Sequence, residues 1–294
     1  TAGTGANVVI PNGGIRMVAT DGGGSGAAVT DVLDVLGGTS NVALGSGAMG
    51  VALTTGSDNV AIGENALDAV TTGRDNVAVG DGAGGAITTG IGNIAIGSDA
   101  LDAVTTANSN VAVGMAALGA NTSGTSNTGV GDNALLVNTT GSYNTAVGSL
   151  ALDANTTAAN NTALGYQALS ANTTGDLNVA VGSGAAPSNT TGSNNTALGQ
   201  GALNANTTAS NNTAVGRAAL LANTTGDKNT AIGTQALNTN TVGDRSVAIG
   251  YQALYTQNPA TNTDMFNVAV GNGALFASTT AVSNTAVGGN ALNA

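Results

Sequence analysis

Apolar and polar residues alternate in one short phrase that returns along most of the chain: Asn, Thr or Val, Ala, then Val, Ile or Leu, then Gly. With small variations it occurs fifteen times, its glycines running from Gly45 and Gly63 through Gly148 and Gly165 to Gly271 and Gly288. Twelve of the fourteen spacings are 17 residues; the exceptions are 18, between Gly45 and Gly63, and 21, between Gly250 and Gly271. The full unit reads N-T-A-V-G-x-x-A-L-x-A-N-T-T-G-x-x, and its residues are numbered here as positions 1 to 17, starting from the Asn. A period held this strictly marks an array of stacked units.

Each position carries a local expectation. In an extended segment, positions 2 and 4 (Thr145 and Val147) point to one face and position 3 (Ala146) to the other. Position 4 is always Val, Ile or Leu, which predicts a strand buried on that side. Position 3 is Ala in fourteen copies and Gly129 in the remaining one, a size limit that predicts close approach of another backbone. Position 5 is always Gly, as expected where φ is positive or a neighbour lies against the chain. Ala follows at position 8 in every copy and Leu at position 9 in twelve, with Met49, Gly84 and Ala186 departing. The Asn-Thr-Thr-Gly segment has turn chemistry, and its glycine becomes Ala at Ala107, Ala158, Ala209 and Ala281, so a left-handed conformation is not required there.

A 17-residue unit is shorter than helical-repeat modules of ~33 to ~47 residues, and its Thr, Val, Asn and Gly disfavour helix. The expected fold is all-β, a parallel β-solenoid of about fifteen coils, each with two short strands and two turns, stacked ~4.8 Å apart. Asn at position 1, replaced only by Ser246, would then form an amide ladder. Each coil offers few large apolar side chains, so its core is thin. A homo-oligomer is expected, with partners covering the alanine face at Ala146, Ala163 and Ala197.

Composition narrows the function classes. Charged residues are 7% and aromatics 2%, and there is no His, Cys or Trp, so ligands and nucleophiles for zinc, haem, disulfide or His-based triad chemistry are lacking. Five basic against sixteen acidic residues give −11, which repels a phosphate backbone; no nucleic-acid partner is expected. No run approaches the ~18 apolar residues of a membrane span, so no membrane insertion is expected. Glycosidase chemistry needs a carboxylate pair, usually beside sugar-stacking rings. Asp68, Asp102 and Asp153 at position 10, and Asp58, Asp75 and Asp81 near turns, form no such set in sequence. No catalytic, cofactor or metal residue is therefore assigned, and an enzyme is not expected. The chain starts at Thr1 without Met and stops inside a repeat at Ala294, which reads as part of something longer.

Ser246-Val247-Ala248-Ile249-Gly250 and Asn59-Val60-Ala61-Ile62-Gly63 resemble the signature of the YadA-like head repeat of trimeric autotransporter adhesins. The longer unit beginning at Asn229 is similar to repeats of phage tail-fibre proteins. The resemblance covers residues 38–294. It implies a left-handed parallel β-roll and a homotrimer, located in a virion or on a cell surface. Its implied partners are other copies of the chain, other fibre or virion proteins, and a cell-surface glycan or protein receptor. The function it implies is a structural fibre segment with an attachment role, as in a phage tail fibre; a bacterial adhesin head is the first alternative. The unit here is longer than the adhesin one, and no binding residue carries over. A second alternative, ice binding, comes from the recurring Thr pair at positions 13 and 14, such as Thr139-Thr140.

Residues 1–37 lie outside the period and form a lead-in or the end of an upstream domain. Val8 to Gly14 reads as a strand and turn, and Val18 to Gly26 as a Gly-rich connection. Val29 to Leu36 reads as a strand or short helix capping the first coil. The 21-residue unit concentrates aromatic residues, and Tyr251, Tyr255, Pro259, Phe266 and Phe276 are the candidate ligand contacts, with Asn258, Asn262 and Asp264 as polar neighbours.

Overall fold

The pentapeptides become strands. In a computed structural model, which describes residues 16–20, 29–36, 40–50 and 54–293, each of the fifteen copies forms a strand of three or four residues. No helix occurs among the described residues. The chain divides into two compact units, 1–123 and 124–294.

In the first unit the strands Asn41–Leu44, Val60–Ile62, Val77–Val79, Ile94–Ile96 and Val111–Val113 pair in parallel, each with the next. Like pairs with like, as in Ala61 with Ala78 and Ile62 with Val79. The second unit repeats this from Thr128–Val130 to Thr285–Val287, with Ala163 opposite Ala180 and Ala180 opposite Ala197. Both units are parallel β-solenoids. The register follows from the period: a slip by one residue would exchange the two faces of every strand.

Each coil holds one regular strand where two were expected. The rest is turn, with one isolated bridge, Arg74 to Ile91, and one short extra pair, Gly243–Asp244 with Thr263–Asp264. The return path is nevertheless bonded from coil to coil: Leu152 N–H donates to the Ala168 carbonyl at 3.0 Å, and Thr139 N–H to the Thr156 carbonyl at 2.9 Å. Backbone demands are therefore met without a second sheet.

The interior reverses the expectation for positions 3 and 4. Ala61, Ala146 and Ala163 are fully buried inside their own coils, together with the alanines at position 8, such as Ala151, and the leucines at position 9. Position 4 points outward, and Leu164 is 46% exposed. The physical reason is width. With coils this small, the interior is filled by Ala at positions 3 and 8 and by the large side chains at positions 9 and 12, which leaves no room for a second large side chain at the strand. The branched side chain of position 4 therefore turns outward.

Two amide columns complete the core. At position 1, Asn76 N–H donates to Asn59 Oδ1 at 3.0 Å, and Asn76 Nδ2 donates to the Gly90 carbonyl at 2.8 Å. At position 12 of the second unit, Asn155 Nδ2 donates to Asn138 Oδ1 at 2.7 Å and to the Ala158 carbonyl at 3.1 Å. The first unit places buried Val70, Ile87 and Val104 at that position in earlier coils and Asn121 in its last. At the Gly84 departure, Ile87 and Leu67 reach into the space a side chain would fill, so the hole is closed.

Of the lead-in, Arg16–Thr20 and Val29–Leu36 form an antiparallel pair, and the latter pairs antiparallel with the first repeat strand, Val35 opposite Val42. Val29–Leu36 is thus a strand and covers the edge of the first repeat strand. Val18 to Thr20, expected in a connection, belongs to a strand. The expected strand and turn at Val8 to Gly14 lie outside the described residues.

Candidate functional site

In each unit the outer face of the strands is a uniform surface. In the first unit it carries Val42, Val60, Val77, Ile94 and Val111 at position 2, and Leu44, Ile62, Val79, Ile96 and Val113 at position 4. In the second unit position 2 is mostly Thr, and position 4 remains Val, Leu or Ile. Leu44, Ile62, Ile96, Leu164, Ile232 and Ile249 are exposed. Neither column contains a charged residue. Within each unit this apolar strip, one knob per coil, exceeds the scattered apolar exposure normal for a monomer.

Two rims border this face. Position 17, just before the strand, and position 6, just after its glycine, are exposed in nearly every coil. Position 17 takes a left-handed conformation, as at Tyr143 (φ 60°) and Leu177 (φ 59°). Most rim residues are small or charged, but Tyr143, Tyr166 and Leu177 in the second unit are large, apolar and exposed.

The five candidate contacts occupy four different places. Tyr255 and Phe276 share position 10 of successive coils and stack face to face, with centroids 5.1 Å apart and planes within 5°. Tyr251 is exposed on position 6, and Phe266 is exposed on position 17 with the Arg245 guanidinium 5.6 Å from its ring centre. Pro259 is buried. The extra residues of the long coil are tied down: Arg245 pairs with Asp264 at 2.9 Å, Met265 is buried, and Asn258 Oδ1 accepts from Thr241 Oγ1 at 2.7 Å.

That coil also carries an exchange that the sequence did not reveal. Ser246 is too short to continue the position 1 ladder, and Gln257 stands where position 12 is usually Asn. Gln257 Oε1 accepts from Ser246 Oγ at 3.1 Å and from Asn267 Nδ2 at 2.9 Å, while its Nε2 donates to Asn240 Oδ1 at 3.2 Å. The longer amide thus bridges both columns where the shorter hydroxyl leaves a gap.

Polar groups elsewhere are mostly engaged in the fold. The position 13 hydroxyls donate to the next coil, as Thr156 Oγ1 does to the Thr173 carbonyl at 3.1 Å. Position 14 is exposed, giving a single outer Thr rank that includes Thr157, Thr174 and Thr191. At position 16, Asp176 Oδ1 accepts from Ala159 N–H at 2.7 Å and Asp244 Oδ1 from Asp227 N–H at 2.7 Å. Burial raises the pKa of Asp153, and that of Asp102 with repulsion from Asp99 and Asp68 added. Burial also raises Asp244, against the hydrogen bond from Asp227. Asp68 and Asp102 both reach the space beside Gly85, which has no side chain to separate them. Among the described residues no group of three or more acidic side chains is placed to hold a metal ion. No family model, curated protein or solved structure matches this chain.

Proposed function

We propose that this chain is a structural segment of a homotrimeric fibre with an attachment role, of the kind found in phage tail fibres and comparable surface appendages. The observation that carries this reading is the outward apolar strip. Its knobs recur once per coil, so a partner with the same rise can match them coil after coil, and another copy of the chain has that rise. Burying each Val, Ile or Leu contributes about 1.5–3 kcal/mol, and a strip of many such residues sustains a stable oligomer. The regular coils act as a stiff spacer, and attachment belongs to places that depart from the repeat, first among them the long coil near Tyr251 and Phe266. No catalytic role is proposed.

Sedimentation equilibrium on the unmodified protein tests the assembly: a mass of three chains is expected, and a stable monomer refutes the reading. Shortening residues 256–266 by four tests attachment, which should weaken on the natural target surface while the oligomer persists. Flanking genes for virion assembly support a phage fibre, and a membrane-anchor barrel in the same gene indicates a bacterial adhesin head.

A further inference from the structure

The rims of the strand face say how copies meet, given the oligomer proposed above. Within one chain, positions 17 and 6 stand at opposite edges of the strand, roughly 15–20 Å apart at ~3.3 Å per extended residue, so large side chains on the two rims do not cover one another. Yet in the second unit Tyr143 and Leu177 occupy position 17 at 62% and 55% exposure, and Tyr166 occupies position 6 at 53%. Tyr143 opens the coil before that of Tyr166, and Leu177 opens the coil after it.

We propose that the position 17 rim of one protomer packs on the position 6 rim of the next, all copies running in the same coil direction and in register. Tyr166 of one copy then inserts between the levels of Tyr143 and Leu177 of its neighbour, one coil rise from each. Such a contact joins two different patches and closes into a ring by rotation. Reversed copies, stacked face to face, would instead set position 17 against position 17 and position 6 against position 6. Tyr166 would then lose both partners.

Charge opposes this arrangement and is outweighed. Between in-register copies Glu64 on position 6 meets Asp58 on position 17 and Asp81 meets Asp75 at the same levels, and Arg217 and Lys228 come within one coil rise of each other. Arg245 is already paired with Asp264 in its own chain. An exposed like-charge contact costs on the order of 0.2–1 kcal/mol and is screened by salt, whereas each buried Tyr or Leu contributes about 1.5–3 kcal/mol. The apolar rims decide.

The chain has no cysteine, so disulfide trapping reads the geometry directly. The variant carrying both Tyr166→Cys and Leu177→Cys, oxidised with copper phenanthroline, should run as covalent trimer on denaturing gels. The variant carrying Tyr143→Cys with Tyr166→Cys should do the same, which guards against a misfolded first variant. Each single substitution should leave at least about nine-tenths of the chain uncrosslinked. Covalent dimers from Leu177→Cys alone or Tyr166→Cys alone, or an intact oligomer in which neither double variant crosslinks, would overturn the rim pairing and leave the fibre reading standing. A monomer in sedimentation would overturn both.

Discussion

Gly148 has φ +137°, and a Cβ there would stand 2.6 Å from the Gly165 carbonyl carbon. Two constraints therefore coincide at position 5, a backbone region closed to side chains and a neighbouring coil that cannot retreat. Gly148→Ala should cost about 2–4 kcal/mol in denaturant unfolding. Gly184→Ala is the control: with φ +59° and nothing within 4 Å, it should cost only about 1–2 kcal/mol. The amide bridge makes a second residue-scale claim. Gln257→Asn alone withdraws the acceptor used by Ser246 and Asn267, and should cost about 1–3 kcal/mol. Adding Ser246→Asn rebuilds the usual column, so a double-mutant cycle should show a compensating coupling of at least about 1 kcal/mol. Additive effects would mean that the two substitutions are unrelated.

One coil is held by its turn as much as by its strand. Leucines at position 9 adopt left-handed φ, 52° at Leu152, a conformation costing on the order of 1–2 kcal/mol per residue. Burial of the side chain offsets that cost, and both backbone groups are bonded, Leu152 N–H to the Ala168 carbonyl and Asn155 N–H to the Leu152 carbonyl. The return path also holds the carboxyls of Asp102, Asp153 and Asp244, all shifted upward, chiefly by burial. A carboxyl whose pKa is higher folded than unfolded makes the folded state bind more protons in the window just above 3.8. Stability therefore falls as pH rises through that window and grows as pH drops toward it. The melting temperature should rise between pH 7 and about pH 4, and combining Asp102→Asn with Asp153→Asn should flatten that rise. A protein that melts progressively lower over this range would contradict it.

In the proposed fibre, assembly and folding separate at the scale of the molecule, because the outer side of each strand would meet partner copies while the inner side packs the coil. Val147→Asp with Leu164→Asp places charges on the outer face and leaves the core intact. The dissociation constant of the oligomer should rise at least about 100-fold, since two buried aliphatics are worth about 3–6 kcal/mol, while circular dichroism of the dissociated chain stays unchanged. Ala146→Leu acts on the inner side, where it overpacks a fully buried position, and should cost about 1–3 kcal/mol or more of folding stability. If Ala146→Leu instead dissociated the oligomer without loss of stability, the alanine column would be the contact surface after all.

The sequence by itself determined the period, the coil as repeating unit, the parallel register and the Asn column, because each depends only on identical residues recurring at a fixed spacing. It also showed that Gly at position 5 was required, since every copy kept it. It did not determine which side of a three-residue strand faces inward. Alternation separates Ala146 from Thr145 and Val147, but hydrophobicity alone favours burying Val147. Only the packing inside the closed coil, filled by the side chains at positions 8, 9 and 12, leaves room for Ala at the strand and sends Val outward. The same limit hid the amide bridge, since Ser246 and Gln257 are 11 residues apart in the chain and meet only when the long coil closes. The candidate aromatics were visible as an excess near the irregular unit, but their division into a stacked pair, a rim tyrosine and a cation-facing phenylalanine follows from coil positions 10, 6 and 17. Those positions become places in space only once the chain has wound.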